Sequence, residues 1–361
     1  MRVFRFLATA TLVAVTVAVH AQNRVYLYEL DSRSPTFLSG VSTTGAVAVG
    51  TFADGGGFRW MPPSGVIYAG GLGANAVSGD GRTIVGNAAD ANRLTNAAIW
   101  QRGTEWRLLG GLPGGACDRS LSSALGVSRD GKTVVGQAYL GCAAAHAFRW
   151  DEASGMVDLG SSVAGRSSAA YAVSETGRVI VGEQTSEGGP TFGVRWVDGR
   201  QEPIPGPAGL PVGDAYGVNA NGTIIVGRQC RPDVPDTIEQ SAWIWRAGSG
   251  TQCLQAPALR PSPGPPVLVY AKAVSDNGRV VGGSQRIGTV DGNAVLWING
   301  TPVYLKDYLQ AHGVSDAFRG WPNTGEITGM TPDGRVLVGW GAAPGGYRGY
   351  VVILNNLAPR R

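Results

Sequence analysis

The sequence predicts an all-β fold. Three observations carry that expectation: 56 glycines in 361 residues, a turn-and-strand motif that recurs seven times, and a tryptophan at a near-constant offset behind it. Glycine stands at about twice its usual share, while charged residues, at 16%, fall below the usual quarter. A coiled coil or long-helix protein would be rich in Ala, Glu, Lys and Leu and poor in Gly, so that class is excluded. A hydrophobic content of 43% with 10 Trp, 11 Tyr and 8 Phe excludes a disordered chain. The glycines follow no three-residue period, which excludes collagen.

The motif is a small residue, Val-Ser, a turn ending in Gly, and a β-branched run that itself ends in Gly. Copies run from Gly40 to Gly50, Ala76 to Gly86, Gly126 to Gly136, Ala172 to Gly182, Gly217 to Gly227, Ala273 to Gly282 and, diverged, Gly329 to Gly339. The turn glycines recur every 36 to 56 residues, the spacing of a repeat architecture. Each of the first six copies leads to an aromatic strand ending in Trp60, Trp100, Trp150, Trp196, Trp245 or Trp297, four of them 19 residues after the turn glycine. Another turn glycine and a short strand, such as Met156 to Leu159, complete a unit of four strands, A to D.

Each part of the unit has a local reason. Asp-Gly or Asn-Gly supplies the positive-φ positions of a tight hairpin turn. The small residue and Ser suit a crowded inner strand A, and the β-branched run of strand B suits burial on both faces. The Trp gives each sheet a large apolar contact to its neighbour. One such sheet cannot bury both faces alone, but several around an axis can, which makes a β-propeller. The seventh copy stops after a strand C at Tyr350 to Leu354, while the run Arg24 to Leu30 has no blade of its own. Lending that run as the missing strand D closes the ring and leaves no open edge. The expectation is one domain over residues 22–361 with seven four-stranded blades of about 49 residues each. Six blades, eight blades and a β-solenoid are the alternatives.

Residues 1–21 read as a secretory signal peptide. Arg2 and Arg5 form the positive start, Phe6 to Val19 the apolar stretch, and Val19-His20-Ala21 the small-residue cleavage site. The stretch is about 14 residues, short of the ~20 of a membrane-spanning helix. No later apolar run spans a membrane. Four cysteines fit an oxidising compartment. If strand A runs down to its turn, the B–C and D–A loops share one face. On that topology Cys117 pairs with Cys142 and Cys230 with Cys253. The expected destination is the periplasm or the cell exterior.

These residues also resemble the HAF-repeat family of bacterial secreted proteins. His146-Ala147-Phe148, followed by Arg149-Trp150 and the segment Gly155 to Gly160, is similar to the half of the signature that names the family. The recurring Ala-Val-Ser-x-Asp/Asn-Gly-x-x-Val-Val-Gly is similar to the other half. The resemblance covers nearly all of residues 22–361. It implies export and a repeated β-architecture and carries no chemistry. His-Ala-Phe stands in one copy only, which argues against His146 as a required ligand.

Net charge is +4, with Arg2 and Arg5 in the signal segment and Arg360 and Arg361 at the end, and no Lys/Arg cluster in between. A nucleic-acid or anionic-membrane footprint is not supported. Gly126 to Thr133 matches the phosphate-binding pattern G-x-x-x-x-G-K-[ST]. That pattern needs a following helix, whereas Val134 to Gly136 reads as a strand. Past residue 21 two histidines remain, His146 and His312, without the close ligands a zinc site needs. No G-x-S-x-G elbow appears. No catalytic, cofactor-binding or metal-ligating residue is assigned. Carboxylates outside the turns are Asp158, Glu183, Glu187, Asp214, Asp233, Asp236, Glu239, Asp291 and Glu326. Any pair about 5 to 9 Å apart would suit glycoside chemistry.

The variable segments Arg228 to Gln240, Ala256 to Val267, Tyr304 to Gly313 (with a short helix) and the Gly-rich loop Gly341 to Arg348 fall on the face of the B–C and D–A loops. A ligand is expected there, since function concentrates on variable loops of a rigid scaffold. The reading is a monomeric, exported, non-catalytic binding or scaffolding module at the bacterial cell envelope, with a protein or glycan partner and no cofactor. The alternative is a carbohydrate-active hydrolase or lyase with carboxylates at the axial mouth, and a third reading is a purely structural envelope protein. Two carboxylates converging with an Arg or Tyr in a deep axial pocket would favour the enzyme.

Overall fold

The computed structural model describes residues 25–32, 34–101, 104–115, 117–118, 120–231, 241–257, 267–287 and 292–354. The signal segment 1–21, most of the two longest loops, and Asp233, Asp236, Glu239 and Asp291 lie outside them. The described residues form seven four-stranded antiparallel sheets, each packed on the next, and the molecule is a seven-bladed β-propeller. Strands A, nearest the axis, are Thr36–Val41, Gly73–Val77, Ser122–Val127, Ser168–Val173, Ala215–Val218, Val267–Val274 and Glu326–Met330. The strand Val25–Glu29 completes the last blade beside Gly346–Leu354, with Val25 opposite Leu354 and Glu29 opposite Tyr350. The first and last described strands therefore share one sheet. Among the described residues no helix is long and apolar enough to cross a membrane.

The periodic residues each have a mechanical role. Ser78 heads its A–B turn, where its Oγ accepts the Thr83 N–H at 3.0 Å and donates to Asp80 Oδ1 at 2.6 Å. The same clasp recurs at Ser128 and, with threonine, at Thr331. In these turns the glycine takes positive φ (73° at Gly81, 65° at Gly278) and the Asp or Asn before it does not. That residue works through its side chain instead, so the turn differs from a two-residue hairpin with both positions left-handed.

The glycine that closes the β-branched run of strand B answers to close approach. A Cβ on Gly86, Gly136, Gly182, Gly227 or Gly339 would lie 1.9 to 2.1 Å from a strand-A carbonyl oxygen. The small residue of strand A meets the next blade: a Cβ on Gly40 would lie 3.4 Å from the Ala76 Cα, and one on Gly329 3.4 Å from the Gly40 Cα. Each strand-C tryptophan packs on the preceding blade, as Trp196 does with Val135, Trp245 with Val181 and Trp297 with Val226. Blade 7 has Val352 in that register. Its cluster is completed by Leu305 and Leu309 of the expected helix, Leu305–Ala311, and by Phe318 and Trp321 beyond it.

Both disulfides are formed, Cys117–Cys142 and Cys230–Cys253, as topology required. One expectation is corrected. Gly341 to Arg348 is no loop: strand B of blade 7 continues to Ala343 and strand C starts at Gly346, leaving a turn of Pro344 and Gly345. Alternating tyrosine and tryptophan side chains (Trp340, Tyr347) hold the extra length by an edge contact at 5.5 Å.

Candidate functional site: the axial pit

All seven A strands slip register at the same point, between Leu38 and Gly40 in blade 1, for example, and between Ala215 and Gly217 in blade 5. A β-bulge re-aims the residue it leaves unpaired. Those residues are Ser39, Asn75, Leu125, Tyr171, Tyr216, Lys272 and Thr328, and all seven line an axial cavity of about 230 Å³. Two of them also tie neighbouring blades: Asn75 Nδ2 donates to the Ala124 carbonyl at 2.7 Å, and Thr328 Oγ1 to the Leu38 carbonyl at 2.7 Å. Six valines and Met330 line the cavity two positions further along each strand.

At the turn face the cavity meets an ion pair between opposite sides of the ring. Arg129, in the A–B turn of blade 3, donates to both carboxylate oxygens of Asp276, in that of blade 6, at 2.9 and 2.6 Å. The Ala220 N–H adds a third bond to Asp276 at 3.0 Å. Burial would raise the Asp276 carboxyl, but these donors hold it below the usual range. The bidentate pair spans the axis at this end.

The loop-side end carries a continuous polar chain through blades 4 to 7. Tyr171 and Asp214 stand beside Glu183, close enough for each to shift its titration. Asp214 also accepts from Thr191 Oγ1 at 2.6 Å, Tyr216 at 3.0 Å and Arg228 Nε at 2.6 Å. The Arg228 and Arg286 guanidiniums stand 5.7 and 5.3 Å from the centre of the Tyr270 ring. Arg286 and Lys272 converge on Glu326 at 3.2 and 2.8 Å, and Lys272 lies 5.9 Å from the Tyr216 ring centre. Across the rim, in blades 1 and 7, Phe37 meets Trp340 edge-on at 5.0 Å.

Desolvation by burial, reinforced by the neighbouring Asp214 charge, pushes the Glu183 carboxyl up to about 7. Burial acts on Asp214 in the same sense, but the Arg228 charge and the Thr191 hydrogen bond outweigh it and hold Asp214 below the usual carboxylate range. The pair thus keeps one proton, on Glu183, up to neutral pH. Burial and adjacent carboxylates raise Tyr171 and Tyr216 far above ordinary phenols, so both stay protonated donors.

Three of the sequence-predicted carboxylates, Glu183, Asp214 and Glu326, meet at this mouth, on the face where a ligand was expected. Asp158 does not: it holds His146 Nδ1 at 2.9 Å on the outer strands of blade 3, a structural pairing. Glu187 sits in the B–C turn of blade 4, where its carbonyl accepts from Arg166. Gly126 to Thr133 is the end of a strand and a turn, with the strand Val134–Tyr139 following, which removes the phosphate-loop geometry. Cys117 and Cys142 lie beside Asp118, but their disulfide leaves that trio one carboxylate to offer a metal.

Sequence reasoning missed Tyr171, Tyr216, Arg228, Tyr270, Lys272 and Arg286. Two columns of the aligned repeat would have found most of them. The residue before the small one in strand A reads Ser, Asn, Leu, Tyr, Tyr, Lys, Thr through the seven copies, and the residue after the strand-B glycine includes Glu183 and Arg228. These columns vary while their neighbours repeat.

No family model and no curated protein matches the chain. Among solved structures it is similar to oligogalacturonate lyase from Vibrio parahaemolyticus, at 11% identity and a TM-score of 0.50 over 95% of this chain and 97% of that one. It is also similar to TolB from Acinetobacter baumannii, at 13% identity and 0.46 over 74% and 63%. The computationally designed Ika8 protein matches at 15% identity and 0.44 over 89% and 98%. At such identities the likeness extends to the fold and no further.

Proposed function

We propose that the protein is an exported, HAF-repeat-type binding module of the cell envelope or exterior whose ligand enters the axial pit from the face of the B–C and D–A loops. The observation that carries this reading is the polar chain from Tyr171 to Glu326, drawn from four blades and reaching the axial cavity through Tyr171, Tyr216 and Lys272. Burying ion pairs costs desolvation that their mutual attraction seldom exceeds, so fold stability alone does not call for them. Residues 1–21 and the two disulfides support export. The test is a glycan and secreted-protein binding screen with the exported protein beside its Arg228→Ala and Glu326→Ala variants. Partners lost from both variants support the reading, and partners captured equally by all three overturn it.

A hydrolase or lyase reading is favoured by one observation, the shared proton of Glu183 and Asp214 beside two tyrosines. The two carboxyls stand close enough for each to shift the other's titration, so that one proton rests between them. Such a pair suits proton transfer, as in a lyase. An ultraviolet assay for unsaturated sugar products decides: turnover abolished by Glu183→Gln supports the lyase, and binding without turnover removes it.

A further inference from the structure

We infer that the axial cavity takes a small, hydroxylated monoanion, its charged group lodged at Lys272, beside Arg286, and its hydroxyls meeting Tyr171 and Tyr216. This rests on the axial pit being the ligand site. Lys272 and Arg286 offer about three and five N–H donors, yet among the described residues both turn to the single carboxylate Glu326, itself 7% exposed. Their side chains keep 27% and 34% of their surface open, so a cationic surplus faces the cavity. Three cations (Arg228, Lys272, Arg286) stand among the described mouth residues against the charged carboxylates Asp214 and Glu326, with Glu183 protonated. The surplus is one positive charge, which one anionic group balances. Low-dielectric walls concentrate that field in the cavity. The cavity, about 230 Å³, has room for a molecule of monosaccharide size, with the Arg129–Asp276 pair at its turn-face end. Tyr171, Tyr216 and Ser39 line it with hydroxyls that suit a chain of hydroxyls, which a bare anion would leave unmet.

The charge balance makes binding depend on pH. Glu183 faces Tyr171 of its own blade and Asp214 and Arg228 of the next. Once Glu183 ionises, above neutral pH, the surplus disappears and the mouth loses its attraction for an anion.

Gluconate, sorbitol and acetate separate the elements of the inference, since sorbitol keeps the hydroxyls without the charge and acetate the charge without the hydroxyls. Titration calorimetry with the exported protein at pH 5.5 is expected to show gluconate binding at least about tenfold tighter than either control. The wild type loses about tenfold in affinity at pH 8.5, and Glu183→Gln retains its pH 5.5 affinity there. Lys272→Met and Arg286→Met each abolish the preference for gluconate over sorbitol, with circular dichroism confirming an unchanged fold. Sorbitol binding as tightly as gluconate, or gluconate binding that ignores pH, overturns the anion inference and leaves the pit reading standing. Ser39→Trp fills the pit from a wall without charge, and gluconate binding that survives it overturns the pit reading itself. No binding of gluconate at millimolar concentration overturns the inference.

Discussion

Raising the pH from 5 to 8.5 should destabilise this protein through Glu183. Its carboxyl titrates at about 7 in the folded chain against a usual 4.5, because burial and the Asp214 charge disfavour the ionised form. A carboxyl with a raised folded pKa contributes stability that is complete below pH 4.5 and is lost as the pH climbs through 7. At about 1.36 kcal/mol per pH unit, the displacement corresponds to a loss of roughly 3 kcal/mol, an upper bound because Asp214 shares the proton. Glu183→Gln keeps a neutral donor toward Asp214 and removes the titration. Urea unfolding of both proteins at pH steps from 5 to 8.5, disulfides intact, reads the effect as the difference between them, since every other titrating group is common to both. The expected result is wild type and variant close together at pH 5 and the wild type falling behind by about 2 to 3 kcal/mol at pH 8.5. Parallel curves across the range, or a wild type that gains on the variant as pH rises, would refute the assignment of the proton to Glu183.

Arg129→Ala removes both guanidinium bonds to Asp276 and should lower stability by about 1 to 2 kcal/mol at pH 7. Asp276 is held below the usual range, so this deficit is present above about pH 4 and shrinks as acid protonates the carboxyl, a trend that melting curves from pH 7 to 3 check. Gly182→Ala places a Cβ 1.9 Å from the Ala169 carbonyl oxygen and should cost more than about 3 kcal/mol or prevent folding. Gly155→Ala, with φ at 67° and open space around it, should cost about 1 kcal/mol in the same urea assay. Trp196→Ala, emptying a fully buried contact between blades 3 and 4, should cost about 3 to 5 kcal/mol by urea unfolding.

The blade count, strand roles and ring closure were legible in the chain because they follow from local, repeated constraints. Each copy needs a turn glycine and a glycine that lets strand B approach strand A, and six of the seven carry a tryptophan to cover the blade before. The segment Gly341 to Arg348 misled because glycine signals both loops and close strand contacts, and a Cβ on Gly341 or Gly349 would meet backbone or Leu38. The disulfides were legible once the topology was, since both ends of each pair had to reach one face.

The mouth was legible only in part. Glu183, Asp214 and Glu326 stood out as carboxylates outside the turns, but nothing along the chain says that residues 143 positions apart share a chain of contacts. The sequence by itself determined the architecture, because the information for a repeat recurs in every copy and each copy interacts with its neighbours in order. Tertiary structure alone decided the chemistry: the circle brings the odd residue of each copy to a common axis, and proximity there, rather than residue type, pairs the carboxyls, places the cations and sets where the proton rests.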